Sequence, residues 1–468
     1  MNKGLTVTGV LVLSAAVLSA QTGDRSAVRG IGVARTVNGI SRGIDAIGVN
    51  PANLALPDRG NGTIAFLPFA VQISSDLIPY EIYQEYFTGV PLADGSRGAR
   101  HLTDADKHRI ISEMKSGLGS TRMDFELMLF GMAARIGTST GAGFSIKDHI
   151  GAEIVLPSDY FRFYFFGLDS SGSHYTFDGT SVSGRWWREY NFSAGFELTS
   201  PVPMVKRLFA GVGVKIAQGF GVAETERYRA SLVSALTGTN QYRADFNLDY
   251  LVRRSGVDFM NEKNEAGVTP FPRPAGTGIG FDLGVAAEIR GLGFHLALTN
   301  LGSIRWRHNI VETYGSYDMS IDDPFTQANQ DTIETAVRGR NRPGGEFSTS
   351  MPAVLRFGVA ASGEKIPWLK AVPGEIEIAF DYTQGLNSSL GNTTRPRFSL
   401  GAEYRIIPFL PLRTGISLGG GDRFRWAAGF GLDFYAVSLD VATENLGMLF
   451  FPNDLTMLSI AAGLKIRF

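Results

Sequence analysis

Cysteine is absent from all 468 residues. That excludes a disulfide framework, a thiolate metal centre and a lipid-modified cysteine behind the leader. Beyond the first twenty residues there is no apolar run of about eighteen, the length a helix needs to cross a bilayer, and the aromatic stretch Phe161 to Leu168 is far shorter. A basic excess is missing too. The 44 Lys and Arg face 45 Asp and Glu, a formal charge of −1, which gives no footing for nucleic acid.

Catalytic and metal-binding patterns are equally scarce. The six histidines, at 101, 108, 149, 174, 295 and 308, show no spacing that pairs one with a nucleophile or a metal. Gly415-Ile416-Ser417-Leu418-Gly419 carries the letters of a nucleophile elbow. The elbow needs a strand-to-helix turn, whereas Gly420-Gly421-Asp422 and another strand pattern follow here. The aspartates from Asp318 to Asp331 lack the ligand spacing of a calcium loop, and no phosphate-cradling glycine loop occurs. The expectation is a protein that is not an enzyme, with no cofactor and no metal.

What is present begins with a leader. Lys3 supplies a positive end, Leu5 to Val17 an apolar centre, and Ser19-Ala20 a small-residue cleavage site, so residues 1–20 are expected to be a secretory signal peptide. Its removal takes away one lysine and moves the formal charge from −1 to −2. Glycine is abundant, at 57 residues, and aromatics make up 11%, a composition suited to closely packed strands with aromatic girdles.

Alternation then recurs along the chain. In Thr456 to Phe468, Leu458, Ile460, Ala462, Leu464, Ile466 and Phe468 fall on one side, with Ser459, Gly463, Lys465 and Arg467 on the other. Leu208, Ala210, Val212, Val214 and Ile216 alternate with Phe209, Gly211, Gly213 and Lys215. Ile279 to Ile289 and Phe294 to Leu298 form a hairpin about Arg290-Gly291, with His295 turned to the polar side. Further strands are expected over 63–73, 123–136, 141–147, 186–198, 353–361, 375–382, 397–406, 412–419, 424–433 and 434–442. A sandwich domain needs only about a hundred residues. Strands that continue with no domain boundary fit one closed antiparallel transmembrane β-barrel better, an all-β fold of about 12–16 crossings at about 9–11 residues each.

Three long polar stretches, near 74–120, 224–275 and 313–350, read as loops or strand extensions. Thr103 and Asp106 form a capping box for a helix over about 104–115. Pro157-Ser158-Asp159, ahead of a dense aromatic run, predicts a second helix, packed inside the barrel, with a strand as the competing assignment. Upstream, residues 21–61 are small and glycine-rich, and they contain a compact turn in which Asn50 caps the segment opened by Pro51.

The terminal strand, ending on Phe468, resembles the closing strand of bacterial outer-membrane barrels. The stretch Ala46 to Ala55, with Asn50-Pro51-Ala52-Asn53 just ahead of the first strand, resembles the N-terminal hatch of the FadL/TodX long-chain fatty acid transporter family and of its PorV-like relatives. Gly278 to Gly284 and Thr299 to Trp306 are similar to recurring strand segments of such proteins.

The resemblance implies 14 strands, a hatch over 21–61 and a barrel over 62–468. It also implies the outer membrane of a Gram-negative-type bacterium, with a lipopolysaccharide-type outer leaflet around the barrel and assembly machinery reading the C-terminal strand. Two functions follow: passive uptake of apolar molecules such as long-chain fatty acids, or a PorV-like role in protein secretion or surface attachment through the loops. For uptake, the candidate ligand-binding residues are the aromatics Tyr160, Phe161, Phe163 and Phe165, with inward Arg405 or Arg413 for an acidic head group. Lys215 and Lys465 also face inward by alternation.

Overall fold

A sheet whose strands are apolar on one side and polar on the other has two unsatisfied edges in lipid unless it closes on itself. The computed structural model shows that closure. It describes residues 26–468 except 115–116, 169–172, 239–240, 257–271, 367–368, 371, 422–423 and 451–455; the expected signal peptide lies outside the described residues.

Fourteen antiparallel staves form the wall. They are β1 (Gly62–Ser75), β2 (Leu118–Ile136), β3 (Thr140–Pro157), β4 (Ser181–Leu198), β5 (Val205–Gly238), β6 (Gly276–Ile289), β7 (Leu292–Trp306), β8 (Val354–Ser362), β9 (Glu375–Gly385), β10 (Arg397–Arg405), β11 (Leu412–Gly419), β12 (Phe424–Phe434), β13 (Val437–Thr443) and β14 (Met457–Arg467). Each pairs with the next, and β14 returns to β1 with Thr63 opposite Arg467 and Ser74 opposite Met457.

Phe468 completes the seam. Its carbonyl oxygen accepts from the amides of Asn61 and Gly62, both at 2.9 Å, and its own amide donates to the Gly62 oxygen at 3.1 Å. The ring lies so close over Gly62 that a Cβ there would come within 2.4 Å of it.

Alternation sorts the wall as expected. Val212, Val214, Ile216, Ile279, Phe281, Leu283, Leu458, Ile460 and Leu464 are exposed on the outside, while Lys215, Asp282, Ser459 and Lys465 are buried inside. Turns at one end are tight, Arg290-Gly291 between β6 and β7 and Tyr435-Ala436 between β12 and β13. The long excursions all leave from the other end.

There the structure is more regular than the polar sequence implies. β5 runs for 34 residues, roughly 110 Å at ~3.3 Å per residue, far more than a bilayer crossing. Past Gly219 it leaves β6 and pairs with a strand over Gln241–Gly256, which pairs in turn with Val311–Asp322. Tyr175, Leu232, Phe246, Leu248 and Tyr250 give this extension a core of its own.

One or two helices are expected from the sequence; five occur among the described residues: α1 (Val28–Gly32), α2 (Tyr80–Tyr86), α3 (Asp104–Glu113), α4 (Asp159–Phe166) and α5 (Gln327–Arg338). α3 begins on the anticipated capping box, with Thr103 and Asp106 each bonded to the other's backbone amide. α1 and α2, of 5 and 7 residues, are too short to carry a clear periodic signal, and α5 lies within the polar stretch 313–350.

The placement of α4 differs from expectation. Pro157 ends β3 opposite Leu118, and the helix sits over the loop-side rim, not inside the lumen. Phe161 and Phe165 pack against α2 and α3, while Tyr160 joins the core of the extension. The physical reason is that its rings point to both sides and need two apolar partners, whereas the lumen wall is lined with charge.

Candidate functional site

Residues 26–56 fold inside the lumen as a plug. Small side chains and glycine let them turn tightly, through α1 and two 3-10 turns at Gly43–Ala46 and Pro51–Ala55. The second turn is built as its letters predict. Asn50 has extended backbone, Pro51 opens the turn, and the Ala52 amide donates to Asn50 Oδ1 at 3.1 Å.

The plug touches the wall on every side. Val28 and Ile31 meet Ala70, Ala442 and Ala461. Val33 and Ile40 meet Ala360 and Ala379, Ile44, Ile47 and Leu54 meet Ala65, Met128 and Ala133, and Ala52 and Ala55 meet Phe209 and Ala286. Where its backbone presses on the staves, the wall has glycine. A Cβ on Gly211 would come within 2.3 Å of the Ala52 nitrogen, and one on Gly195 within 2.5 Å of the Pro51 oxygen. Among the described residues, the backbone-to-backbone hydrogen bonds of residues 26–56 stay within the plug.

The plug is held to the wall by side chains. Asn50 Nδ2 donates to Asn38 Oδ1 at 3.0 Å, and Asn53 Nδ2 donates to the Asn38 oxygen at 2.7 Å and to Ser41 Oγ at 2.9 Å. This fixes which atom of the Asn53 amide is the oxygen, and that oxygen lies 2.9 Å from His295 Nδ1 on β7. Asn38 Nδ2 donates to the His295 carbonyl at 3.0 Å, and the Asn38 amide to Asp381 on β9 at 2.7 Å. The Ser26 amide and hydroxyl both donate to Glu126 on β2, at 2.9 and 2.6 Å.

Charge pairs reinforce these contacts. Arg29 reaches Glu377 at 2.5 Å and Glu403 at 2.8 Å, Lys465 reaches Asp45 at 2.5 Å, and Arg35 bonds Glu444. Burial alone would push the Arg29 guanidinium down. Glu403 and Glu377 outweigh it and hold the group above its ordinary value. Within the wall, Lys215 sits between Asp282 at 3.1 Å and Glu189 at 3.3 Å. The His149 ring lies between Glu126 and Glu189, at 3.5 and 3.6 Å, and stacks on Trp187.

The candidate ligand residues occupy two distinct regions. Tyr160, Phe161, Phe163 and Phe165 lie together on α4 at the loop-side rim, where Phe163 meets Tyr175 and Phe177 edge-on. Arg405 and Arg413 lie near the tight-turn end and face inward, as alternation predicts. Arg405 bonds Glu403 at 2.9 Å and Asp433 at 2.8 Å; Arg413 bonds Glu403 at 2.7 Å and Asp440 at 2.6 Å. The aromatics and the arginines are therefore not brought into one site. Sequence reasoning missed Arg29, Asn38 and the glycine seats; the glycines standing at inward positions were the available signal.

Residues 60–444 match the profile of a family described as a family of unknown function, DUF5723. The chain belongs to that family. The match begins just ahead of β1 and runs to the end of β13, so it covers thirteen of the fourteen staves of this DUF5723 protein and leaves residues 26–56 and β14 outside. No curated protein matches the chain in sequence. Among solved structures, the DUF5723 chain is similar to the Ralstonia pickettii toluene transporter TbuX, at 14% identity and TM-score 0.46, covering 94% of this chain and 99% of that one. It is similar also to a Pseudomonas aeruginosa FadL homologue, at 14% identity and TM-score 0.44, covering 97% and 100%. A third is the Pseudomonas putida toluene transporter TodX, at 11% identity and TM-score 0.41, covering 96% and 97%.

Proposed function

We propose that this protein is an outer-membrane channel for passive uptake of hydrophobic small molecules, long-chain fatty acids among them, and that residues 26–56 are its gate. The observation that carries the reading is the way the plug is fastened. It packs against the inner face of the barrel, yet among the described residues no backbone ladder joins it to the staves, so it can shift without opening any strand pair. A gate needs that separation. Its contacts are small apolar surfaces and side-chain hydrogen bonds, the latter each contributing about 1 kcal/mol, with ion pairs whose attraction is offset by the cost of burying both charges.

The aromatic helix α4 presents an apolar surface on the loop side and is the proposed contact for an incoming solute. The outer-membrane location rests on the closed barrel with its apolar belt and on the expected leader. The test is flux: purified protein in liposomes should accelerate uptake of a long-chain fatty acid, and a chain lacking residues 26–56 should do so without gating. Rates equal to protein-free liposomes for both would reject the channel reading.

One observation favours a second reading. The 34-residue β5 and its partner strands build a sheet beyond the membrane with its own core, more structure than a pore mouth needs. A PorV-like platform for a secreted protein would use it. Stoichiometric co-purification of a protein partner, with no solute flux, would support that role.

A further inference from the structure

The plug meets the wall in different ways on different sides. Towards β7 and the staves from β9 to β14 it is fastened by groups that an apolar solute cannot replace: Asn38 and Asn53 on His295, Arg29 on Glu377 and Glu403, Arg35 on Glu444 and Asp45 on Lys465. Parting these would leave buried charges or polar groups without partners. At Gly195, Gly211 and Gly415, on β4, β5 and β11, it is the plug backbone that presses on the wall. Backbone has no rotamer with which to move aside.

Facing β2 and β3 the contact is of another kind. Ile44, Ile47 and Leu54 pack on Met128 and Ala133. A Cβ on Gly131 would first meet the ends of side chains, Ile44 Cδ1 at 2.5 Å and Met128 Sδ at 2.6 Å, and one on Gly143 would first meet Ile47 Cδ1 at 2.6 Å. Such ends can change rotamer, the unbranched thioether of Met128 most easily. The polar contacts that flank this seam stand at its two ends: the Ser26 hydroxyl donates to Glu126 at 2.6 Å towards the loops, and the Ile44 amide donates to Thr63 Oγ1 at 3.0 Å towards the tight turns.

A cleft continues the seam at the tight-turn end. Gly43, Leu54 and Leu56 of the plug and Thr63, Ala133 and Arg135 of the wall line a space of about 10 Å³, about the room of one water molecule. Leu54 and Ala133 belong to both seam and cleft, so parting the seam would join the lumen to that end of the barrel.

We propose that solute passes the plug on this side, between residues 26–56 and staves β2 and β3, with Ile44, Ile47 and Met128 parting around it and the cleft as its exit. A slender apolar chain can take over the contacts these side chains make with one another. A broad ring system would have to lift the plug backbone off the wall. Ile44, Ile47 and Met128 are therefore specificity-determining, and the favoured cargo is a straight hydrocarbon chain. This route presupposes the channel function.

The chain has no cysteine, so an introduced pair can bridge only to itself. A Cβ on Gly131 would stand 3.1 Å from Ile44 Cγ1, and one on Gly401 2.7 Å from Val33 Cβ, both within reach of a disulfide. I44C/G131C pins the seam shut, whereas V33C/G401C pins the plug to β10 on the other side of the barrel. Palmitate uptake into proteoliposomes should fall to the protein-free rate for oxidised I44C/G131C and recover on reduction, while oxidised V33C/G401C keeps wild-type flux. M128A should raise uptake of pyrenecarboxylate relative to palmitate about tenfold, the scale on which an apolar site discriminates size. Undiminished flux through oxidised I44C/G131C, equal block by both bridges, or an unchanged ratio in M128A would overturn the route and leave the channel standing. A wild type at the protein-free rate would reject the channel itself and the route with it.

Discussion

His295 Nδ1 on β7 lies 2.9 Å from Asn53 Oδ1 in the plug. Because the Asn53 amide nitrogen is committed to the Asn38 oxygen and Ser41 Oγ, its oxygen is an acceptor and His295 must donate from Nδ1. Of the contacts that hold the Asn-Pro-Ala-Asn turn to the wall, this one requires the imidazole to carry its proton on Nδ1.

Replacing that donor should loosen the plug and spare the barrel. H295A leaves Asn53 Oδ1 buried without its partner, a cost of about 1–3 kcal/mol. The expected result is intermittent conductance in planar bilayers where the wild type is silent, with an unchanged β-barrel circular dichroism spectrum.

Gly211 offers a steric test of the same contact. A valine there would drive its side chain into the Ala52 nitrogen, while suiting the strand itself. G211V should assemble as a heat-modifiable barrel whose residues 26–56 become cleavable by added protease. V212T, on the outward face of the same stave, should leave them protected.

Glu403 is the carboxylate shared by Arg29, Arg405 and Arg413. E403Q removes one carboxylate from each of three guanidiniums, which keep Glu377, Asp433 and Asp440 respectively, and should destabilise by about 1–3 kcal/mol. E375Q removes the partner of Arg59, a pair with Glu375 66% exposed, and should cost about 0–1 kcal/mol. Thermal unfolding followed by gel mobility distinguishes them.

The cap of α3 gives a pH dependence. The Thr103 amide and hydroxyl bonded to Asp106 hold that carboxyl below its ordinary value. A lowered folded pKa means the cap is fully formed above the unfolded value, about 3.9, and is lost as pH falls through the folded one. Amide exchange in residues 104–113 should be flat from neutral pH down to about 5, once corrected for intrinsic rates, and should lose protection in stronger acid. D106N should remove that acid-dependent step.

Most of the wall was legible because a barrel stave repeats one simple physical pattern. Lys215 and Lys465 faced inward, Ile279 and Leu458 outward, and the Asn50 cap formed as its neighbours required. The extension was harder to see because its alternation, Ala244, Phe246, Leu248 and Tyr250 against Arg243, Asp245 and Asp249, is short and set within a long polar and charged stretch. α4 was misplaced because an aromatic run states that rings are buried and not against what. The plug's fastening was not legible at all. Asn38 and His295 are 257 residues apart, and nothing local to either names the other.

The most direct test compares fatty-acid uptake into proteoliposomes containing the wild type, H295A or no protein, at matched protein density. The account predicts uptake faster than protein-free liposomes for the wild type and faster again for H295A. Equal rates in all three would contradict it.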